Sequence, residues 1–281
     1  QSAAIVCLHS HRNPEHEQRL ASYLRESGWQ HISVSSNLAP VIKILPRAET
    51  TVVDAYLSPI MTRYLDGVER ELTNGRLRIM TSAGGLISRD DYRAKDSLLS
   101  GPAGGVVGAA MAGRQAGFDR IIGFDMGGTS TDVCRFDGDF DYQFEHRVGR
   151  ARVLAPVLNI ETVAAGGGSI CGFNGEELFV GPESAGAHPG PACYGAGGPL
   201  TVTDVNLLLG RLDPGQFGIP VNLEAAREAL EAIRSALPEP TSEEELLAGF
   251  LEIANERMAD AVQKISIREG YDPAEYALVA F

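Results

Sequence analysis

The sequence predicts an α/β protein organised as two lobes. Short apolar runs alternate with amphipathic stretches of helical period, and one buried run turns through a glycine pair into a second strand. The 281 residues also exceed the about 100–200 of an ordinary single domain. In order, the apolar run Ala3 to Leu8 predicts a strand, Asn13-Pro14 opens a polar helix to about Ser27, and His31 to Ser35 predicts the next strand. A helix over Thr51 to Leu72 sets Val53, Tyr56, Leu57, Ile60, Met61, Tyr64 and Leu65 at three-and-four spacing, which predicts one apolar face. Asn74-Gly75 stops it, and Leu77 to Thr81 forms a short strand. Gly101, Gly104, Gly105 and Gly108 open a small-residue helix ending near Gly117, whose glycines are read as sites of close packing first and of phosphate proximity second. The expected division is 1–117, the end of a first α/β lobe with linking helices, and 118–281, a second lobe.

In that second lobe Ile121 to Asp125 reads as a buried strand, Asp132 to Phe136 as its partner, and Phe140 to Val148 as a third, giving a three-stranded meander. From about 154 to 220 the chain is dense in Gly and Pro, with a short helix at Thr203 to Leu212. This is too long for a passive connection and predicts an ordered insertion lying over a site. A helix over Leu223 to Leu237 follows. The capping box Ser242 to Glu245 then opens a longer one carrying Leu247, Phe250, Leu251, Ala254, Met258, Ala261, Val262 and Ile265 on one face. Gly270 and Pro273 stop it before a core strand at Tyr276 to Phe281.

The net charge of −13 argues against nucleic acid or an anionic membrane as partner, since both are bound through clustered Lys and Arg. No apolar stretch reaches the about 20 residues of a membrane helix. Cys7, Cys134, Cys171 and Cys193 form no CxxC pair, so a reducing cytoplasm is expected rather than a disulfide framework or zinc ribbon. The chain opens on Gln1 and stops at Phe281 inside an apolar run, and both ends are expected to be cuts.

The chemistry is expected at Gly123 to Val133, GFDMGGTSTDV. Gly127 and Gly128 lack Cβ, so backbone amides can approach an anion closely, and Thr129, Ser130 and Thr131 add hydroxyl donors. Asp125, at the strand end, is placed to hold a magnesium-bound water or orient a nucleophile, and Asp132 to brace the loop. The alternative is a tight hairpin turn with surface hydroxyls; the acidic residue before the glycines and the Thr-Ser-Thr-Asp run after them favour a phosphate cradle. Neither the Walker loop nor the GxGxxG fingerprint occurs at this loop.

Strand, Asp-x-Gly-Gly-Thr hairpin and further strands resemble the phosphate motif of the actin, sugar-kinase and heat-shock chaperone superfamily. Within it the chain resembles the hydantoinase A, 5-oxoprolinase and acetone carboxylase β-subunit family, through LLSGPAGGVVGA, GFDMGGTSTDV, ETVAAGGGSI and GPESAGAHPGPACYGAGGPLTVTDVNLLLGRL, with Asp54-Ala-Tyr-Leu57 also fitting. The resemblance implies a ribonuclease H-like, actin-like ATPase lobe that uses ATP and Mg²⁺ in a soluble oligomer with a hydantoinase B-like subunit or domain. It implies phosphorylation of a cyclic amide carbonyl, in a hydantoin or 5-oxoproline, before ring opening. A ketone carboxylase subunit and a non-catalytic nucleotide-binding assembly subunit are the alternatives. Two family segments, an earlier glycine-rich phosphate loop and an adenosine-contacting Gly-Gly segment, are not in the sequence.

Other residues carry two readings each. Gly166, Gly167, Gly168 and Ser169 read as a second anion-binding nest near Glu161 or as a flexible turn. Asp204 reads as a helix cap, or by resemblance as a residue facing the nucleotide. Glu183, His188 and Cys193 match no common zinc spacing and read as loop packing before metal ligands, while His9, His11, His16 and His31 read as surface residues.

Overall fold

The computed structural model describes all 281 residues. It separates into two compact units, Gln1–Gly108 with Asp139–Asn159, and Ala109–Gly138 with Ile160–Phe281.

The chain opens with β1 (Ser2–Ile5), α1 (Glu15–Glu26) and β2 (His31–Val34), followed by α2 (Ser35–Leu38) and the long α3 (Ile44–Glu71). β1 and β2 pair in parallel, and Ile5, Ala21 and Val34 form the core beneath α1. Glu17 is buried there, accepting from the Cys7 amide (2.7 Å), the Ser35 hydroxyl (2.6 Å) and the Ser36 amide (2.9 Å). The predicted helix at 51–72 begins seven residues earlier, at Ile44, because Pro46 falls in the first turn, where its missing N–H costs nothing. Its packing follows the periodic expectation only in part: Leu65 is buried and Val53, Leu57 and Met61 are half-buried. Tyr56, Ile60 and Tyr64 are exposed, while Arg47, Thr50, Thr51 and Asp54 are buried. This polar side is tolerable inside because Thr50, Thr51 and Ser58 donate back to the carbonyls of Pro46, Arg47 and Asp54, and Arg47 donates to three carbonyls, of Val41, Cys7 and Leu8.

β3 (Ile79–Met80) and β4 (Leu86–Ile87) form a small hairpin before α4 (Ser100–Gln115), within which the chain passes from the first unit to the second. β5 (Arg120–Met126) and β6 (Thr131–Asp137) pair antiparallel with Asp125 opposite Asp132. The predicted third meander strand does not form as one piece. Residues 139–148 break into β7 (Asp139–Phe140), β8 (Tyr142–Gln143) and β9 (His146–Val148), and β9 turns back on β10 (Ala151–Val153) while β8 pairs with β11 (Val157–Leu158). The third sheet strand is instead β12 (Ile160–Val163), antiparallel to β6.

Within the Gly/Pro-rich stretch β13 (Ser169–Phe173) and β14 (Leu178–Ser184) form a ribbon, and α5 (Val202–Leu208) follows. Then come α6 (Leu223–Arg234), α7 (Glu243–Ile265) and β15 (Ala277–Ala280), which pairs in parallel with β5. The second unit's sheet therefore runs β12-β6-β5-β15. Ile122 and Val133 pack on Ala261 and Ile265 of α7 on one face. On the other face the sheet approaches α4 closely: a Cβ at Gly113 would meet Ile121 Cγ2 at 2.4 Å. The capping box of α7 is present, with Ser242 Oγ accepting from the Glu245 amide. A second core, around Val180, Val205, Leu247 and Phe250, ties the ribbon to α5 and the first half of α7. No helix is long and apolar enough to cross a membrane.

Candidate functional site

Residues 127–130 join β5 to β6, and the Gly127 amide closes the turn on the Ser130 carbonyl at 3.0 Å. Neither Gly127 nor Gly128 has the left-handed φ that obliges a turn to use glycine. A Cβ at Gly128 would meet nothing within 4 Å. Neither turn geometry nor packing within the chain therefore requires glycine at 128. The amides of Gly128, Thr129 and Ser130 donate to no group of the chain, and the Thr129 and Ser130 side chains are likewise uncommitted. Thr131 differs from its two neighbours. It is fully buried, and its hydroxyl donates to the Ala165 carbonyl at 2.6 Å, so it anchors the hairpin and is not available to donate to a phosphate.

Directly opposed residues on antiparallel strands have Cβ atoms about 4.5–5.5 Å apart, which makes Asp125 and Asp132 neighbours on one face of the sheet. Asp132 accepts from the Thr162 hydroxyl on β12 at 2.6 Å, and Asp125 has no hydrogen-bond partner in the chain. Next along that face is Cys134, whose thiol is pushed up to about 11, first by burial and then by the two carboxylates. It is a packed, protonated thiol and not a nucleophile.

Gly166, Gly167 and Gly168 lie against the back of the hairpin. The amides of Gly167 and Gly168 donate to the carbonyls of Gly127 (3.1 Å) and Gly128 (2.6 Å), so they are spent on holding it. This corrects the anion-nest reading. A Cβ on Gly166 would meet Gly127 O at 2.7 Å and Thr129 N at 2.8 Å, and one on Gly168 would meet Gly128 O at 2.8 Å. The three glycines are there because a backbone lies on them.

Behind them stands α5. Thr203 donates to the Gly167 carbonyl through its amide (2.8 Å) and its hydroxyl (2.9 Å). Asp204 is fully buried and accepts from the amides of Ala192 (3.0 Å), Cys193 (2.8 Å) and Thr201 (2.8 Å) and from the Thr201 hydroxyl (2.8 Å). Its carboxylate completes the capping box of α5 through Thr201 and pins the turn at 192–193 through the other two amides, so all these bonds lie inside the fold. The signal is in the sequence as Thr201-Val-Thr-Asp204, a capping-box spacing whose N-cap lies two residues before the expected helix start at Thr203.

Nothing gathers Glu183, His188 and Cys193 into a metal centre: no group of three or more His, Cys, Asp or Glu side chains is placed to hold an ion. Cys193 is buried, its thiol pushed up to about 12 by burial and by Asp204. Two carboxylates beside free amides still suit one kind of cation. Mg²⁺ commonly binds through about one or two carboxylates, with phosphate and water oxygens completing the shell.

Residues 47–281 match the family model described as hydantoinase/oxoprolinase. The 5-oxoprolinase PfmaA of Pestalotiopsis fici is 43% identical over 295 residues, covering 100% of this chain but 23% of that protein. Caprolactamase subunit alpha of Pseudomonas jessenii is 38% identical, over 99% of this chain and 42% of its own length. Among solved structures, the ATP-dependent caprolactamase of Pseudomonas jessenii superposes with a TM-score of 0.83 at 37% identity, over 100% of this chain and 42% of that one. Nucleotide-free acetone carboxylase superposes at 0.78 and 27% identity, over 98% and 41%. The chain thus spans between about a quarter and two fifths of these relatives.

Proposed function

This chain belongs to the hydantoinase/oxoprolinase family, and from that premise we propose that it forms part of an ATP-dependent hydrolase that opens cyclic amides, with the 125–132 hairpin handling the phosphates. One observation carries the proposal: a glycine hairpin whose turn does not require glycine, with unpaired amides at Gly128, Thr129 and Ser130, open space where a Gly128 Cβ would lie, and Gly166 to Gly168 packed against it. Such a cradle fits a phosphate because rigid amides stabilise anionic oxygen without reorganising. The relatives whose names specify cyclic amides are the more similar ones, 37–43% identical against 27% for acetone carboxylase, and this favours a lactam over a ketone.

Bound at the cradle with Mg²⁺, ATP would supply the phosphoryl group that makes an unreactive amide carbonyl susceptible to attack. The chain's own residues have defined tasks. Amides 128–130 and the Thr129 and Ser130 hydroxyls would bind phosphate oxygens, and Asp125, with no partner of its own, would hold the cation or its water. Asp132, fixed by Thr162, keeps the second carboxylate in place, and Thr131 ties the start of β6 to Ala165.

We read the second unit as a ribonuclease H-like, actin-type ATPase lobe. The order β12-β6-β5-β15, with three antiparallel strands and the fourth parallel to the first, supports that reading. The partner we expect is a second subunit or domain, as the name caprolactamase subunit alpha suggests. The four unpaired cysteines suit a reducing cytoplasm.

The test is Asp125→Ala in the full-length protein. Loss of Mg·ATP turnover by about 10²-fold or more, with unchanged melting, is the expected outcome for a group acting on transition-state charge. Turnover within twofold of wild type would refute the assignment.

A further inference from the structure

The first unit encloses a cavity of about 320 Å³ between β2, α3 and the turn at Tyr92, at the small end of the about 300–1,000 Å³ usual for ligand pockets. The phosphate hairpin has no part in it. Asp54 lines the wall, 4% exposed, its Oδ2 accepting from Ser33 Oγ (2.6 Å) and its Oδ1 from the Lys95 amide (3.0 Å). A carboxylate has about four acceptor positions, so two donors leave each oxygen with a lone pair to spare. No cation pairs with it, an arrangement that is costly for a buried charge unless something else donates to it.

Tyr92 shares that wall. Its Oη is buried without a hydrogen-bond partner, and the neighbouring Ser97 hydroxyl spends its proton on the Ala94 carbonyl at 2.7 Å. Burial raises the phenol above its ordinary value, Ser97 offsets part of this, and Asp54 and Asp96 add to it, so at neutral pH it is an O–H donor. Two exposed guanidinium groups, Arg25 and Arg93, complete the lining on the solvent side. The cavity thus presents an unfilled acceptor, an unfilled donor and a positive rim.

We propose that this cavity binds a small carboxylic acid that carries an N–H beside its carboxylate: the N–H goes to Asp54, an oxygen accepts from Tyr92, and the carboxylate lies against Arg25 and Arg93. A cyclic amide bearing a carboxylate has this pattern. The choice of probe rests on the cyclic-amide reading above; the site itself rests on the chemistry of its wall.

Calorimetric titration of the full-length protein, without nucleotide, tests it. 5-Oxo-L-proline binds. 2-Pyrrolidinone, which lacks the carboxylate, and tetrahydrofuran-2-carboxylate, which lacks the N–H, bind about tenfold more weakly or worse, as expected for a lost charge-assisted hydrogen bond. Tyr92→Phe weakens binding by about five- to tenfold and Asp54→Asn by more than about tenfold. Tyr92→Phe is the decisive variant because it removes only a hydroxyl that bonds to nothing in the chain. Absence of 5-oxo-L-proline binding, or unchanged affinity in a Tyr92→Phe protein that melts as wild type, overturns the assignment. Asp125→Ala acts on nucleotide turnover and not on this titration, so the two readings fail separately.

Discussion

Gly166→Ala tests whether the hairpin at 127–130 is held from behind. The new Cβ would lie 2.7 Å from Gly127 O and 2.8 Å from Thr129 N and C, short of ordinary contact by about 0.7 Å. All three atoms are backbone, so no side chain can rotate away. Gly166 has no left-handed φ, so the substitution adds crowding without adding backbone strain. Overpacking of this kind costs about 1–3 kcal/mol, and moving a positioned group by about 1 Å can cost about 10²-fold in rate. The variant is therefore expected to melt lower by a few degrees and to lose Mg·ATP turnover out of proportion. Gly128→Ala is the matched control: its Cβ meets nothing within 4 Å, so stability is kept while the open side of the cradle is narrowed. Thermal unfolding and nucleotide turnover of both variants in the full-length protein separate the two effects. Wild-type stability and turnover in Gly166→Ala would refute the buttress.

Thr131→Val removes the buried bond to the Ala165 carbonyl and leaves that oxygen without its donor, at a cost of about 1–3 kcal/mol in urea unfolding; if Thr131 instead touched phosphate, the KM for ATP would rise with stability unchanged. Glu17 gives a pH prediction. Burial works to raise its pKa, but hydrogen bonds from Ser35, Ser36 and Cys7 outweigh that and hold it below the ordinary value. Its stabilisation is therefore complete above the unfolded carboxyl value of about 4.3 and is lost as pH falls through the lowered folded value. Glu17→Gln should be less stable than wild type at pH 7, with the difference shrinking in acid; a gap constant from pH 7 to pH 3 in denaturant melts would count against the sign.

Much of the second unit was legible because its signals are local. The Ser242 capping box and the apolar face of α7, the β5-β6 hairpin, and the strand at 277–280 all depend on neighbours a few residues away. The failures are non-local. Residues 140–148 alternate enough to suggest a strand, but pattern cannot say that 142–143 will pair with 157–158 while 160–163 takes the place beside β6. α3 misled for a related reason: its apolar residues keep helical spacing, yet the side turned inward is the one whose hydroxyls satisfy themselves on the preceding turn. At the site, the hairpin could be read from Asp125, Gly127 and Gly128, but the true use of Gly167, Gly168, Thr131 and Asp204 depended on which carbonyls and amides the fold brought to them. Asp54 entered the sequence reading only within Asp54-Ala-Tyr-Leu57 and Tyr92 not at all, since an unfilled lone pair and an unpaired phenol exist only in three dimensions.

The parallel pairing of β15 with β5 has a consequence for the order of assembly. Ala277 lies beside Ile121 across 156 positions of chain, whereas β5 and β6 meet through residues 127–130. A hairpin of that kind closes in about 1–10 μs, but long-range pairing is slow because chain entropy is lost before any contact repays it. On the ribosome, at about 5–20 residues per second, the hairpin emerges roughly 10–30 s before its flanking strand exists. Throughout that interval β5 is an edge strand, with Ile121 and Ile122 next to open backbone donors and acceptors, the arrangement most prone to pairing with another chain. The glycine hairpin is thus among the first parts of the second unit able to form and among the last to be protected.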